Sequence, residues 1–233
     1  MTIINLKSEI EELRKKTSIL AKEISNIRHN RKEEFIKAIE SEMNDLGMSS
    51  TKFDVEIMSD EDEEGILIVD GVNIKANVYG IDNIEFIIAP NKQSIFQPLR
   101  KIASGGEISR IMLSLKNVLS LGDYCETMVF DEIDVGVGGR IAEVIGEKIA
   151  ALSKRKQILS VTHLAQIAIY ANTHFKVIKN EGEDNVTSTI EELNENTRVG
   201  EIARMITGKE ITEASIKHAA ELLEGARKSN IFI

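Results

Sequence analysis

The stretch Met128-Val129-Phe130-Asp131-Glu132 decides the fold class, because an apolar run leads directly into two carboxylates. Short apolar runs of this kind are typical of parallel strands in α/β sheets, which are covered on both faces. We therefore expect Val129 and Phe130 to be buried on both faces of such a strand. Open α/β sheets bind their ligands at the carboxyl ends of the strands. Asp131 and Glu132 should emerge at that edge.

Two adjacent acids at a strand end suit phosphate chemistry. One carboxylate can hold Mg²⁺, usually through water, while its neighbour orients or deprotonates the water that attacks a γ-phosphate. The alternative is a pair of acids that caps the next turn. Asp134 and the glycines Gly136, Gly138 and Gly139 extend the region into a flexible loop, which favours the chemical interpretation.

Helices and strands alternate on both sides of this stretch. The pattern predicts three helices and two strands, in the order helix 106–119, strand 127–130, helix 139–152, strand 157–161 and helix 164–170. Strands joined by crossover helices form a parallel sheet. Beyond them we expect a β-hairpin (175–179 with 186–191) and two helices (199–206 and 212–225).

The first 45 residues contain no Gly and no Pro. They carry a stripe with alternating spacings of four and three, in which Thr17 fills one position and the others are apolar, namely Leu6, Ile10, Leu13, Leu20, Ile24 and Ile27. A stripe this narrow is the seam of a coiled coil and needs a partner helix to cover it. An amphipathic helix packed on its own domain is the alternative.

Between the helix and the α/β region lies a β-rich section. A break at 47–50 precedes strands at 53–57, 66–69, 72–78 and 84–89, and Asp70-Gly71 marks a tight turn. The acidic run 60–65 lacks the spacing of a calcium loop and indicates a solvated connection. These strands should form an antiparallel sheet.

The stretch Ser104-Gly105-Gly106-Glu107 opens the predicted helix 106–119. Two glycines there let backbone N–H groups approach an anion closely, and the helix N-terminus adds a partial positive charge. The alternative is a simple N-cap followed by a favourable first-turn acid. Arg100, Lys101 and Arg110 flank the stretch, and we expect them to be solvated or ion-paired.

His163 follows the predicted strand 157–161. If strands 127–130 and 157–161 are neighbours, its imidazole lies near Asp131 and Glu132 and can donate to the γ-phosphate. A single histidine at a strand end can equally be structural. The other histidines, His29, His174 and His218, share no ligand spacing, and no zinc site is predicted.

Composition limits the class of protein more than its function. The formal charge of −9 neither supports nor excludes DNA as a partner. A single cysteine, Cys125, excludes an intrachain disulfide and fits a reducing compartment. No apolar run reaches the roughly 20 residues of a membrane span, and charged residues stand where a signal peptide would be apolar. We therefore expect a cytoplasmic protein.

Four segments together resemble the ATP-binding-cassette heads of the SMC-like family. They are residues 98–110 (PLRKIASGGEISR), 130–139 (FDEIDVGVGG), 161–168 (VTHLAQIA) and 201–205 (EIARM). The resemblance implies a fold class: the C-terminal α/β lobe of a P-loop NTPase head, with a parallel sheet and an antiparallel β section. It also implies that residues 1–46 are the returning coiled-coil arm. Residues 47–233 would form the lobe, divided at 47–98, 99–180 and 181–233.

The resemblance also implies residue roles. Asp131 would hold Mg²⁺, Glu132 would be the catalytic base, and His163 would contact the γ-phosphate. Asp134 would act across a dimer interface. The signature residues Ser104, Gly105, Gly106 and Glu107 would contact ATP held by the opposite head. Two heads would sandwich two ATP molecules.

The chain contains no G-x-x-x-x-G-K-[ST] loop, which would grip the β- and γ-phosphates. In the family that loop precedes the arm, so we expect the isolated chain to be inactive as an ATPase and to expose apolar surface. The implied function is ATP hydrolysis in recombinational repair of DNA double-strand breaks. Expected partners are the N-terminal half of the head, a second identical head and nucleoid DNA. The alternatives are a non-catalytic coiled-coil interaction module and the ATPase subunit of another SMC-like or ABC transport system.

Overall fold

The computed structural model describes residues 3–119, 122, 124–181, 186–208 and 210–232. The chain forms two compact units. The first consists of Met1–Ser41 and Ser49–Ile102, and the second of Glu42–Met48 and Ala103–Ile233. The division into arm and head lobe expected from the sequence stays a prediction.

A single helix, α1 (Ile3–Asp45), occupies the N-terminal segment. The absence of Gly and Pro allows this length, and Gly47, with φ of +80°, ends the helical path. Six apolar residues of the predicted seam are exposed, namely Leu6, Ile10, Leu13, Leu20, Ile24 and Ile27. This exposure agrees with a stripe that needs a partner helix, although the coiled coil itself stays a prediction.

The antiparallel β section of the first unit is confirmed, as two separate sheets. It contains β1 (Lys52–Ser59), β2 (Leu67–Val69), β3 (Val72–Ile74), β4 (Asp82–Ala89) and β5 (Gln97–Pro98). Strand β4 lies between β1 and β5, and β2 pairs with β3. Asp70 and Gly71 both have positive φ, as the tight turn between β2 and β3 requires. The rings of Phe35, Phe53 and Phe86 form a cluster with centroids 5.5 to 6.1 Å apart.

The second unit contains the α/β region. Its elements are α2 (Gly105–Val118), β6 (Thr127–Phe130), α3 (Gly139–Ser153), β7 (Gln157–Ser160), α4 (Ala165–Ala168), β8 (Phe175–Glu181), β9 (Val186–Glu192), α5 (Glu195–Thr207) and α6 (Glu213–Phe232). Strands β6 and β7 pair in parallel, with Phe130 opposite Ser160. The predicted neighbour relation is therefore confirmed. Strands β8 and β9 form the predicted antiparallel hairpin.

The expectation that β6 is buried on both faces is wrong. Met128 and Phe130 are buried, whereas Val129 between them is 68% exposed. Leu159 and Val161 are exposed as well. In the described part of the chain the parallel sheet has two strands and one covered face, so side chains on the other face meet solvent. The exposed apolar surface expected from the sequence is present here.

A hydrophobic core cluster of the second unit lies among helices α3 to α6. Its buried members are Ala150, Ala165, Ala168, Ile169, Tyr170, Ile202, Ala203, Ala219, Leu223 and Ala226. Buried Arg198 donates to the carbonyls of Ala168, Ile169 and Ala171 and so satisfies the end of α4. No helix in the described ranges is both long and apolar enough to span a membrane.

Candidate functional site

The loop that follows β6 carries both predicted carboxylates. Asp131 and Glu132 are exposed, and Glu132 has φ of +56°. A non-glycine residue in this region is strained, and such residues cluster at functional sites. The Asp131 carboxylate accepts a 2.9 Å hydrogen bond from the Glu132 N–H. This contact helps to hold the strained backbone.

The N-terminus of α2 packs against the same loop. Ser104 caps the helix, and its hydroxyl accepts a 3.4 Å bond from the Glu107 N–H. A Cβ at Gly105 would overlap the Glu132 carboxylate, and one at Gly106 would lie 3.0 Å from the Glu132 carbonyl oxygen. A larger residue at position 106 would therefore crowd the Glu132 backbone, whereas at Gly105 the nearest group is the flexible end of the Glu132 side chain. The Glu132 carboxylate lies at the N-terminus of α2, the positive end of the helix dipole.

Two side chains of α2 fasten the loop through its backbone. Ser109 Oγ donates to the Asp131 carbonyl at 2.7 Å. Arg110 is buried, and its Nη1 donates to the carbonyls of Val135 at 2.9 Å and Ile133 at 3.5 Å. Burial lowers the pKa of Arg110, although nearby Glu107 opposes this. The sequence interpretation of Arg110 as solvated or ion-paired is therefore wrong, because Arg110 is buried and its guanidinium donates to loop carbonyls.

Asp134 joins the same loop to the segment after β7. Its side chain is 4% exposed, and its Oδ2 accepts from Thr162 Oγ1 at 2.6 Å. The same oxygen accepts from the His163 backbone N–H at 2.9 Å and pairs with His163 Nδ1 at 2.9 Å. The His163 side chain is 72% exposed. The imidazole is thus held at Nδ1, while most of the ring is exposed to solvent.

Two curated relatives bear the name DNA repair protein RecN. The protein of Treponema pallidum (strain Nichols) is 40% identical over 225 residues, which are 96% of this chain and 38% of the relative. That of Bacillus subtilis (strain 168) is 35% identical over 224 residues, or 95% of this chain and 39% of the relative. The chain is similar to RecN along nearly its whole length. It spans about two-fifths of the length of these relatives.

No family model matches the chain. A solved structure of the Smc head domain with a coiled coil and joint, from Pyrococcus yayanosii, covers 88% of this chain and 31% of its own length. Its sequence identity to the RecN-like chain is 16% and its TM-score is 0.48.

The fold of the second unit gathers the predicted site residues into two groups that share one loop. Gly105 and Gly106 approach the loop at Glu132, in the helix turn that Ser104 caps at Glu107, and His163 meets the loop at Asp134. The sequence analysis named Arg110 but missed its role in fastening this loop. A signal was present, because Arg110 lies four residues after Gly106 and four before Ser114, and that face of α2 is buried.

The donor set suits a magnesium ion that is shared with phosphates. Within the described ranges no three His, Cys, Asp or Glu side chains lie close enough together to hold a metal ion by themselves. Mg²⁺ is usually held by one or two carboxylates and keeps waters and substrate phosphate oxygens as its other ligands. Exposed Asp131 at the strand end fits that requirement.

Proposed function

We propose that this chain is the C-terminal part of the head of a RecN-like ATPase. The observation that carries the proposal is the pairing of β6 with β7, which sets Asp131 and Glu132 at the end of one parallel strand and His163 just beyond its neighbour. Ligand chemistry in open α/β sheets takes place at this edge. Similarity to RecN over nearly the whole chain supports the same assignment.

In the proposed reaction Asp131 holds Mg²⁺ and Glu132 accepts the proton of the attacking water. His163 donates to the γ-phosphate, where negative charge increases during transfer. Bound Mg²⁺ supplies charge neutralisation on the phosphate oxygens. Each of these side chains is exposed, so each is accessible to a nucleotide.

The signature serves a second nucleotide. Ser104, Gly105 and Gly106 offer a hydroxyl and helix N-terminal amides to the γ-phosphate of ATP held by another head, and Glu107 belongs to the same turn. ATP would then hold two heads together, and hydrolysis would release them. The phosphate loop comes from the N-terminal half of the head, and this chain alone does not hydrolyse ATP.

The cellular role proposed is recombinational repair of DNA double-strand breaks, in the cytoplasm at the nucleoid. The name shared by the relatives, DNA repair protein, supports it. The partners are the N-terminal half, a second head and DNA.

The test is Glu132→Gln in the full-length protein that contains this chain. We expect ATP binding to persist while turnover falls by roughly 10² to 10⁴-fold, the usual contribution of a positioned base. Glu126→Gln is the matched control, because Glu126 is exposed just before β6 and its side chain has no part in the proposal. Undiminished hydrolysis in Glu132→Gln would show that Glu132 is not the base.

A second candidate is a non-catalytic interaction module that recruits a partner through α1. The exposed seam of α1 supports it. Leu13→Asp should then abolish partner binding or oligomerisation of the purified chain, since a charge within a coiled-coil seam is strongly unfavourable. A purified chain that stays monomeric and captures no partner would exclude this candidate.

A further inference from the structure

Asp134 makes contacts that its implied role across a dimer interface does not explain. Its carboxylate is buried within its own chain. Its Oδ2 atom accepts hydrogen bonds from the Thr162 hydroxyl and the His163 backbone N–H, and it also pairs with Nδ1 of the His163 ring. A buried charge is unfavourable unless hydrogen bonds compensate it. Here three donors converge on a single oxygen, so the carboxylate is matched to the segment that carries His163.

The backbone of this segment explains only part of the arrangement. The Thr162 hydroxyl donates to Asp134 and accepts from the Leu164 N–H at 3.0 Å, which shapes the turn before α4. A neutral acceptor would serve those two bonds as well. The ring contact is different, because a carboxylate accepts only and therefore requires the proton on Nδ1.

We propose that Asp134 is a positioning residue for His163 within the same head. Its carboxylate accepts a hydrogen bond from Nδ1–H, fixes the ring plane and leaves Nε2 directed at the nucleotide. Because Nδ1 keeps its proton, Nε2 donates to the γ-phosphate only when the ring is doubly protonated. The ring is largely exposed, so without this bond it would sample several rotamers. Carboxylates orient imidazoles in the same way in hydrolase triads and around metal-bound histidines. The purpose of this positioning rests on the proposed function, whereas the pairing itself does not.

The pairing can be tested in this chain alone by ¹⁵N NMR of its histidines, at a pH where the rings are neutral. We expect His163 to carry its proton on Nδ1. His163→Gln identifies the signal among the four histidines. In Asp134→Ala the ratio of the Nδ1–H to the Nε2–H form should fall by about tenfold or more, because a hydrogen bond to a charged acceptor is lost.

Two more variants make the result decisive. Asp134→Asn retains the shape and a neutral acceptor, so the Nδ1–H share should fall here too, and this variant decides the matter if Asp134→Ala does not fold. Thr162→Ser retains the hydroxyl and should leave the ratio unchanged. A wild-type His163 protonated on Nε2, or a ratio that Asp134 variants do not alter, would overturn the proposal.

The functional step is tested by a double-mutant cycle in the full-length protein. If Asp134 acts through His163, Asp134→Asn lowers kcat with little change in KM for ATP, and it has no further effect in a His163→Ala background. Effects that multiply would show that Asp134 acts elsewhere, including across the interface. If Glu132→Gln and His163→Ala both leave hydrolysis unchanged, the proposed function fails, while the NMR result still decides the pairing.

Discussion

Replacement of Gly146 by alanine should destabilise the second unit, although alanine is the better helix former. Gly146 is buried in α3, where α4 and the residues after it pack closely. A Cβ there would overlap the ring of Tyr170 and would lie 2.9 Å from the Gln166 carbonyl oxygen. Gln166 belongs to α4, which begins two residues after His163. The close contact of Gly146 with Gln166 and Tyr170 therefore fixes the distance between α3 and the segment that follows His163.

The size of the effect follows from two opposing terms. Glycine to alanine within a helix gains about 0.5 to 1 kcal/mol. Overpacking a close contact costs about 1 to 3 kcal/mol. The obstacle is a backbone oxygen as well as an aromatic ring, so neither can turn aside without moving α4. The two terms leave a net loss of about 1 kcal/mol, and of at most about 2.5 kcal/mol.

Gly200 provides the matched control. It lies within α5, and a Cβ there would meet no atom within 4 Å. Gly200→Ala should therefore stabilise the protein by about 0.5 to 1 kcal/mol. Urea denaturation of the two variants measures both free energies. If Gly146→Ala proves as stabilising as Gly200→Ala, the argument that close packing of α3 on α4 requires glycine is refuted.

Three further changes test the electrostatics of the second unit. Burial opposes ionisation of Glu201, but hydrogen bonds from Arg204 and Lys176 outweigh it and lower its pKa. Stability from this carboxylate is present above the ordinary pKa of 4.5 and is lost as the pH falls, so Glu201→Gln should flatten the acid limb of a urea-denaturation series. Burial, and then the charge of Glu147, raises the pKa of Tyr170 to about 12. Stability should therefore decline as the pH rises from 10.0 towards 12, and Tyr170→Phe should remove that decline in thermal melts. Arg198→Met should cost about 3 to 5 kcal/mol in urea denaturation, because it leaves the carbonyls at the end of α4 without their donor; a loss below 1 kcal/mol would contradict the role given to Arg198.

The sequence predicted elements well where a local pattern determines them. Strand β6 has the predicted bounds, 127–130, because its apolar run is short and ends at the acids. Helix α4 is shorter than the predicted 164–170, since it spans only Ala165–Ala168. The carbonyls at its end bond to Arg198, about 30 residues further along the chain. The local periodicity of apolar residues cannot predict a hydrogen-bond donor so distant in sequence.

The sequence proposed members for the candidate site, whose roles stay predictions, but it did not contain their contacts. Residue types and spacing pointed to Glu132 and His163, since chemistry restricts which side chains serve. The exposure of Val129 depends on what covers the second face of the sheet, which the strand itself does not encode. The burial of Arg110 likewise depends on a loop 25 residues away in sequence. Both errors concern tertiary partners.

The loop 131–135 is anchored to α2 through its main-chain oxygens, whereas its side-chain carboxylates at 131 and 132 are exposed. Helix α2 holds it by the main-chain oxygens of residues 131, 133 and 135. The buried side chain of Asp134 reaches the histidine segment on the other side. Since the anchors use backbone oxygens, the carboxylates of Asp131 and Glu132 remain exposed for a ligand. Since α2 is bonded to the loop backbone and Asp134 of that loop is bonded to His163, we expect a displacement of α2 to shift His163 as well.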